Sequence, residues 1–188
     1  MRPARSHLAR LALALPLVCA AGLAGAQTAP NTIPTRDVTI TYKAMGGQEM
    51  TISWLAADKR MRMDLPGGAG IMLLDAKNQK GYMVMEAQRA VMELPVENMM
   101  GQIGQVPEGA KLTRQGNDTV AGQSCTVWRT EYMGQIGNSC ISADGVLLRA
   151  RPEGSPEGLE ATQVSFARQD PARFTVPADY QKMQMPGR

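Results

Sequence analysis

Between Val38 and Phe166, apolar and polar residues alternate in short runs broken by Gly, Pro, Asn and Asp, and this period-2 pattern constrains the fold more than any other feature. Successive side chains of a strand point to opposite faces, so each run reads as a half-buried strand. Val38, Ile40 and Tyr42 alternate with Thr39, Thr41 and Lys43. Met50, Ile52 and Trp54 alternate with Thr51 and Ser53, and Gly46-Gly47 marks the turn between the two runs. A Gly-Gly turn alone would oppose Ile40 to Ser53 and divide the apolar residues between two faces. A loop of Met45 to Gly47 opposes Ile40 to Ile52 and Val38 to Trp54, and burial selects that register.

The pattern continues along the chain. Residues 59–64 place Met61 and Met63 on one face and Arg60 and Arg62 on the other. After Pro66-Gly67-Gly68, residues 71–74 are continuously apolar, and residues 81–85 and 90–94 form a hairpin around Glu86 to Arg89. Later strands are expected at residues 110–114, 125–132, 139–142, 146–150 and 159–168, with Asn117-Asp118 and Ala121-Gly122 flanking a turn region. About eleven short strands at this spacing predict a mainly β, antiparallel sheet with little helix. Residues 95–107 lack alternation and read either as a short helix over 96–102 or as a loop covering one end of the sheet. The C-terminal residues 170–183 show no clear period.

The N-terminus predicts export. Arg2, Arg5 and Arg10 precede an apolar run to Leu23, and Ala24-Gly25-Ala26 supplies small residues for cleavage before Gln27. The apolar run is short for a membrane span and no basic stop-transfer cluster follows it. Val18 and Pro16 stand where a lipoprotein signal wants a small residue and a Leu before Cys19, so no stable membrane anchor is expected. The division is therefore a signal peptide over 1–26, a Thr/Pro/Asn-rich flexible leader over 27–34 and one β domain over 35–188, placed in the periplasm.

Cleavage removes three of the 20 basic residues and leaves them balanced against 17 acidic ones, so no basic patch for nucleic acid is expected. It also removes the single His and Cys19. Without His there is no Ser-His-Asp or Cys-His arrangement, and no common zinc site. The Gly-rich stretches lie between strands and read as turns, not phosphate cradles. No catalytic residue, metal ligand or cofactor is assigned, and the chain is expected not to be an enzyme. Cys125 and Cys140 read as one structural disulfide in an oxidising compartment; the alternative is two separate buried thiols.

All but Met1 of the 14 methionines survive cleavage, and most fall in strand-like runs. One face carries Val38, Ile40, Tyr42, Met50, Ile52, Trp54, Met61, Met63, Met83 and Met85, while the other holds Tyr82, Val84 and Val91 among polar residues. An apolar sheet face must be covered by a helix, another sheet or a ligand, and a strongly curved sheet leaving a groove is one solution. Methionine suits adaptable apolar surfaces, so the groove is assigned to Trp54, Met61, Met63, Met83 and Met85. Two alternatives stand beside it. The face is a closed core in a structural or protein-interaction module, or the pairs Met61-x-Met63, Met83-x-Met85 and Met183-x-Met185 hold Cu(I) through thioether sulfur.

Finally, the order of segments resembles a known pattern. It runs from Met50-Thr-Ile-Ser-Trp54 and Arg60-Met-Arg-Met-Asp64 through Gly81-Tyr-Met-Val-Met85 and Arg89-Ala-Val-Met-Glu-Leu-Pro95. Val120-Ala-Gly-Gln-Ser-Cys125, Cys140-Ile-Ser-Ala-Asp-Gly145 and Phe174-Thr-Val-Pro177 follow. The chain resembles an uncharacterised bacterial periplasmic family, a domain of unknown function, whose pattern is similar to the outer-membrane lipoprotein carriers of the LolA and LolB type. That resemblance implies a half-open antiparallel β-barrel with an apolar concave face. In those carriers the face holds acyl chains, so a lipid or lipoprotein is the expected partner.

Overall fold

The computed structural model describes residues 29–96 and 106–183. The segment read as a signal peptide, the alternatives for the segment after Val96 and the second member of the Met183-x-Met185 pair lie outside them. Among the described residues twelve strands form one curved, unclosed sheet. In chain order they are β1 Val38–Lys43, β2 Glu49–Leu55, β3 Arg60–Asp64, β4 Ile71–Asp75, β5 Lys80–Met85 and β6 Ala90–Leu94. Then come β7 Lys111–Val120, β8 Gln123–Tyr132, β9 Gln135–Ser142, β10 Leu147–Pro152, β11 Leu159–Ser165 and β12 Gln181–Met183. The spatial order is β12-β6-β5-β4-β3-β2-β1-β11-β10-β9-β8-β7. Two meanders, β1 to β6 and β7 to β11, thus share β1 as their seam. The described residues hold short 3-10 turns but no α-helix, and no helix long and apolar enough to cross a membrane.

The first hairpin adopts the register that burial selects: Val38 opposes Trp54 and Ile40 opposes Ile52. Its loop is the turn Met45–Gly47, closed by the Ala44 N–H donating to the Gln48 carbonyl at 2.8 Å. Two features differ from the sequence reading. Asn117 and Asp118 lie inside β7, which runs on to Val120. A bulge between Arg114 and Gly116 absorbs the irregularity, and the reversal falls on Ala121-Gly122, both with positive φ, the geometry of a tight hairpin turn. The strand beyond the expected eleven is β12, drawn from the C-terminal segment that showed no period. It pairs parallel to β6, where Gln181 donates to the Arg89 carbonyl at 2.9 Å.

The sheet curls toward one face. Val38, Ile40, Tyr42 and Trp54 from β1 and β2 share a buried cluster with Val120, Cys125, Cys140, Val146, Leu148 and Ala161 from the other meander. Strands at distant places in the sheet order meet there only if that face is concave. Tyr42 lies deepest of the polar groups on it. Its hydroxyl donates to the Leu147 carbonyl at 2.5 Å, and burial pushes the phenol above its ordinary range. Cys125 and Cys140 on adjacent strands are joined, with Cα atoms 5.4 Å apart. Such a bond fits an oxidising compartment.

The convex face is closed by the chain's own end. Ile71, Leu73, Val84 and Val91 are buried there against Tyr82, Val176 and Tyr180. Asp37 anchors the start of this C-terminal strap. Its carboxylate accepts from the Gln169 and Ala56 N–H groups, each at 2.9 Å. Arg62 then donates to the Arg173 carbonyl at 3.2 Å while pairing with Asp64 at 2.6 Å. The apolar residues Tyr82, Val84 and Val91 on the otherwise polar face are accounted for by this strap.

Two tests follow from these contacts. The disulfide closes a loop of sequence separation 15, and removing it with Cys125→Ser and Cys140→Ser is expected to cost about 3 kcal/mol. For a domain of this length that lowers the thermal midpoint by roughly 6–12 °C; an unchanged midpoint in a thermal melt would show that the loop is held by packing alone. The second test concerns Asp75. Burial alone would raise its carboxyl, but hydrogen bonds from Asn78 and the opposed Arg60 guanidinium outweigh burial and hold it below the usual range. The ionised form is therefore the one favoured by folding. Its contribution is full above the unfolded carboxyl pKa of about 3.9 and is lost as pH falls toward the lower folded value. Asp75→Asn should flatten the fall in stability of the native chain below that pH, as read by denaturant titration at stepped pH.

Candidate functional site

The concave face has two parts. Toward the seam it is a packed core, with Trp54 only 5% exposed. Toward β3 to β6 it is lined by methionine and is half-buried. Register partners share a face, so the rows follow from the pairing. One row runs Ile40, Ile52, Met63, Met72, Met83 and Met92 and ends on Met183 of β12. The next row, two residues along each strand, runs Val38, Trp54, Met61, Leu74, Gly81 and Leu94. Met63, Met72, Met83 and Met92 are each half-buried, and Met183 at the edge is 51% exposed.

The residues assigned to the groove from the sequence all lie on this face, in different settings. Met63, Met83 and Met85 sit in the half-buried part. Met61 packs against the core cluster, and Trp54 belongs to that core. The indole N–H of Trp54 is buried without a hydrogen-bond partner among the described residues. Met72, Met92 and the placement of Met183 beside them escaped the sequence reading. Met72 stands in a continuously apolar run with no alternation to read, and Met183 in a segment without a period. The signal that finds Met72 and Met92 is the register carried from hairpin to hairpin: the short turns at 66–70 and 76–79 and at Glu86–Gln88 fix each partner in succession.

Val96 shows how the chain leaves β6. It is 1% exposed and lies over Gly81, where an added Cβ would collide with the Val96 side chain and stand 2.9 Å from Leu74 Cδ2. Gly81 thus provides a notch in the inner face that Val96 fills. The second meander carries several ion pairs. Arg149 pairs with Asp118 at 2.5 Å, and Arg129 bridges Glu131 and Glu153. The hydrogen bond from Arg149, then that from the Thr119 N–H, holds the Asp118 carboxyl below its usual range. A shallow depression of about 530 Å³ lies between the Asn31 segment, Asp118 and Trp128. Among the described residues no three His, Cys, Asp or Glu side chains come together to hold a metal ion.

Comparison with known proteins places this architecture. The family model for DUF4412, a domain of unknown function, matches residues 37–150. The chain belongs to the DUF4412 family. The match begins just before β1 and ends within β10, so it covers the methionine rows of β3 to β6, while β11, the strap and β12 lie beyond it. No curated protein matches the chain. Among solved structures, an uncharacterised conserved protein from Thermus thermophilus is similar at a TM-score of 0.56 and 13% identity, over 80% of this chain and 91% of that one. A chain of the Pseudomonas aeruginosa MucA/MucB complex is similar at 0.56 and 16% identity, over 80% of this chain and 59% of its own length. A structure of PNGF-II is similar at 0.51 and 12% identity, over 81% of this chain and 31% of its own length. At such identities the likeness establishes a shared fold for this DUF4412 domain.

The notch yields a test of the inner-face packing. Gly81→Ala should destabilise the domain by about 1–3 kcal/mol through overpacking against Val96. Val96→Ala in the same chain should recover part of that loss, so a double-mutant cycle in denaturant should give a coupling of at least about 0.5 kcal/mol. Simple additivity would mean that Val96 does not fill the notch.

Proposed function

We propose that this DUF4412 chain is a non-enzymatic protein of the bacterial periplasm. In this reading it binds an apolar ligand, the acyl chains of a lipid or lipoprotein, on the methionine-lined part of its concave face. The observation that carries the proposal is the contrast between the two faces. The convex face is closed by Val176 and Tyr180 of the strap, whereas Met63, Met72, Met83 and Met92 of the inner face are only half-buried. Each methylene taken from water contributes about 0.8 kcal/mol, so a few turns of an acyl chain laid along these rows supply substantial affinity. Methionine side chains adapt to such a chain better than branched residues do. The curled, unclosed sheet is what the likeness to LolA and LolB type carriers implies, and the disulfide and N-terminal sequence support export.

A protein partner is the second reading. It is favoured by one observation: the similar MucB fold was solved together with the protein MucA. Under that reading the same face takes an apolar segment of another polypeptide.

Protein purified from the periplasm and examined by native mass spectrometry, with organic extraction of the same sample, separates the two. Acyl lipid at about one per chain is expected. Met63→Glu with Met83→Glu should abolish it while leaving the circular dichroism spectrum intact, because burying an unpaired carboxylate against an acyl chain is costly. A clean apo mass, with no uptake of a fluorescent sixteen-carbon fatty acid, would sink the acyl reading and leave the protein partner.

A further inference from the structure

Methionine is concentrated in one row of the inner face. Met63 opposes Met72, Met72 opposes Met83, Met83 opposes Met92, and Met92 opposes Met183. The adjoining row through Trp54, Met61, Leu74, Gly81 and Leu94 holds one methionine. Packing within a closed sheet face does not by itself call for methionine at these positions. Val, Ile or an aromatic residue fits a pleated surface better, and Met loses more rotamer freedom when ordered. What this row supplies and its neighbour lacks is a thioether side chain at each register position from β3 to β6.

The geometry suits shared ligation across strands better than along one. Two residues apart on a strand, as in Met61-x-Met63, side chains start about 6.8 Å apart. Opposed across strands, their Cβ atoms lie about 4.5–5.5 Å apart, within the joint reach of two flexible thioethers. A thioether here does reach the neighbouring strand: an added Cβ at Gly70, two residues before Met72, would stand 3.4 Å from Met83 Sδ of β5. The four central members are half-buried, open enough for an ion to enter and shielded enough to favour soft ligands over water.

We propose that the row Met63, Met72, Met83 and Met92 binds a soft monovalent cation, Cu(I), through thioether sulfur. Thioethers are neutral, polarizable ligands that suit Cu(I), whereas carboxylate and carbonyl oxygen suit the hard divalent ions. Two or three sulfurs from neighbouring strands would share one ion, with no change in protonation and no redox step. The site uses the face proposed for acyl chains but does not depend on that reading.

Titration of the full chain with silver nitrate in chloride-free buffer, read by native mass spectrometry, tests it first. Competition for Cu(I) against a chromogenic chelator without oxygen follows. About one ion per chain is expected. Replacing the row with M63L, M72L, M83L and M92L should weaken binding at least tenfold, while M133L, at a methionine 83% exposed on a distant turn, should leave it unchanged. Leucine keeps the apolar volume, so the same variant retains any uptake of the fluorescent fatty acid. Acyl uptake kept with silver lost in the variant supports the metal site. Silver held equally by the variant, or not held by the native chain, overturns it whatever the acyl result. Should the fourfold change unfold the domain, M72L with M83L carries the same comparison.

Discussion

Strand β1 is hydrogen-bonded on both sides, to β2 across a short turn and to β11 from near the other end of the chain. Without the β11 pairing there would be two separate meanders, each with two open edges and half a core. Joining distant segments costs loop-closure entropy before any contact returns it. The return comes from Val38, Ile40 and Tyr42, which point inward from β1 and are all buried. Tyr42 reaches beyond β11 to the Leu147 carbonyl, and the Cys125–Cys140 bond ties β8 to β9 within the same cluster. The curl of the sheet, and with it the existence of an inner face, depends on this seam.

Once the sheet curls, its two faces have different fates. The convex face of β3 to β6 mixes Arg60, Arg62 and Asp64 with Ile71, Leu73 and Val84, a composition too polar for a core and too apolar for water. The strap resolves this by matching both kinds of residue. Val176 and Tyr180 cover the apolar ones, and the Arg173 carbonyl accepts from Arg62. The concave face of the same strands has no comparable cover among the described residues beyond Val96 over Gly81. That asymmetry makes the methionine rows the place to look for a ligand.

The sheet's edges are managed separately. The β6 edge is paired with β12, a short parallel strand delivered by the strap. The β7 edge carries a bulge at Gly116 and the basic residues Lys111 and Arg114, devices that discourage pairing with another chain. A long unclosed sheet can thus remain one molecule's own structure.

The sequence by itself determined most of the strands and the register of the first hairpin. Alternation such as Val38-Thr-Ile-Thr-Tyr42 is a local signal, and a one-residue slip would turn every apolar side chain outward. It also placed Trp54, Met61, Met63, Met83 and Met85 on one face, because side-chain direction in a strand follows from counting. It did not reveal the strap or β12, since residues 170–183 are held by contacts with a distant sheet and carry no period of their own. Nor did it separate Trp54 in the closed core from the half-open Met63 and Met83, or align Met72 and Met92 with them. Those distinctions belong to the tertiary structure: burial depends on how far the whole sheet curls, and a cross-strand row exists only once every neighbouring register is fixed.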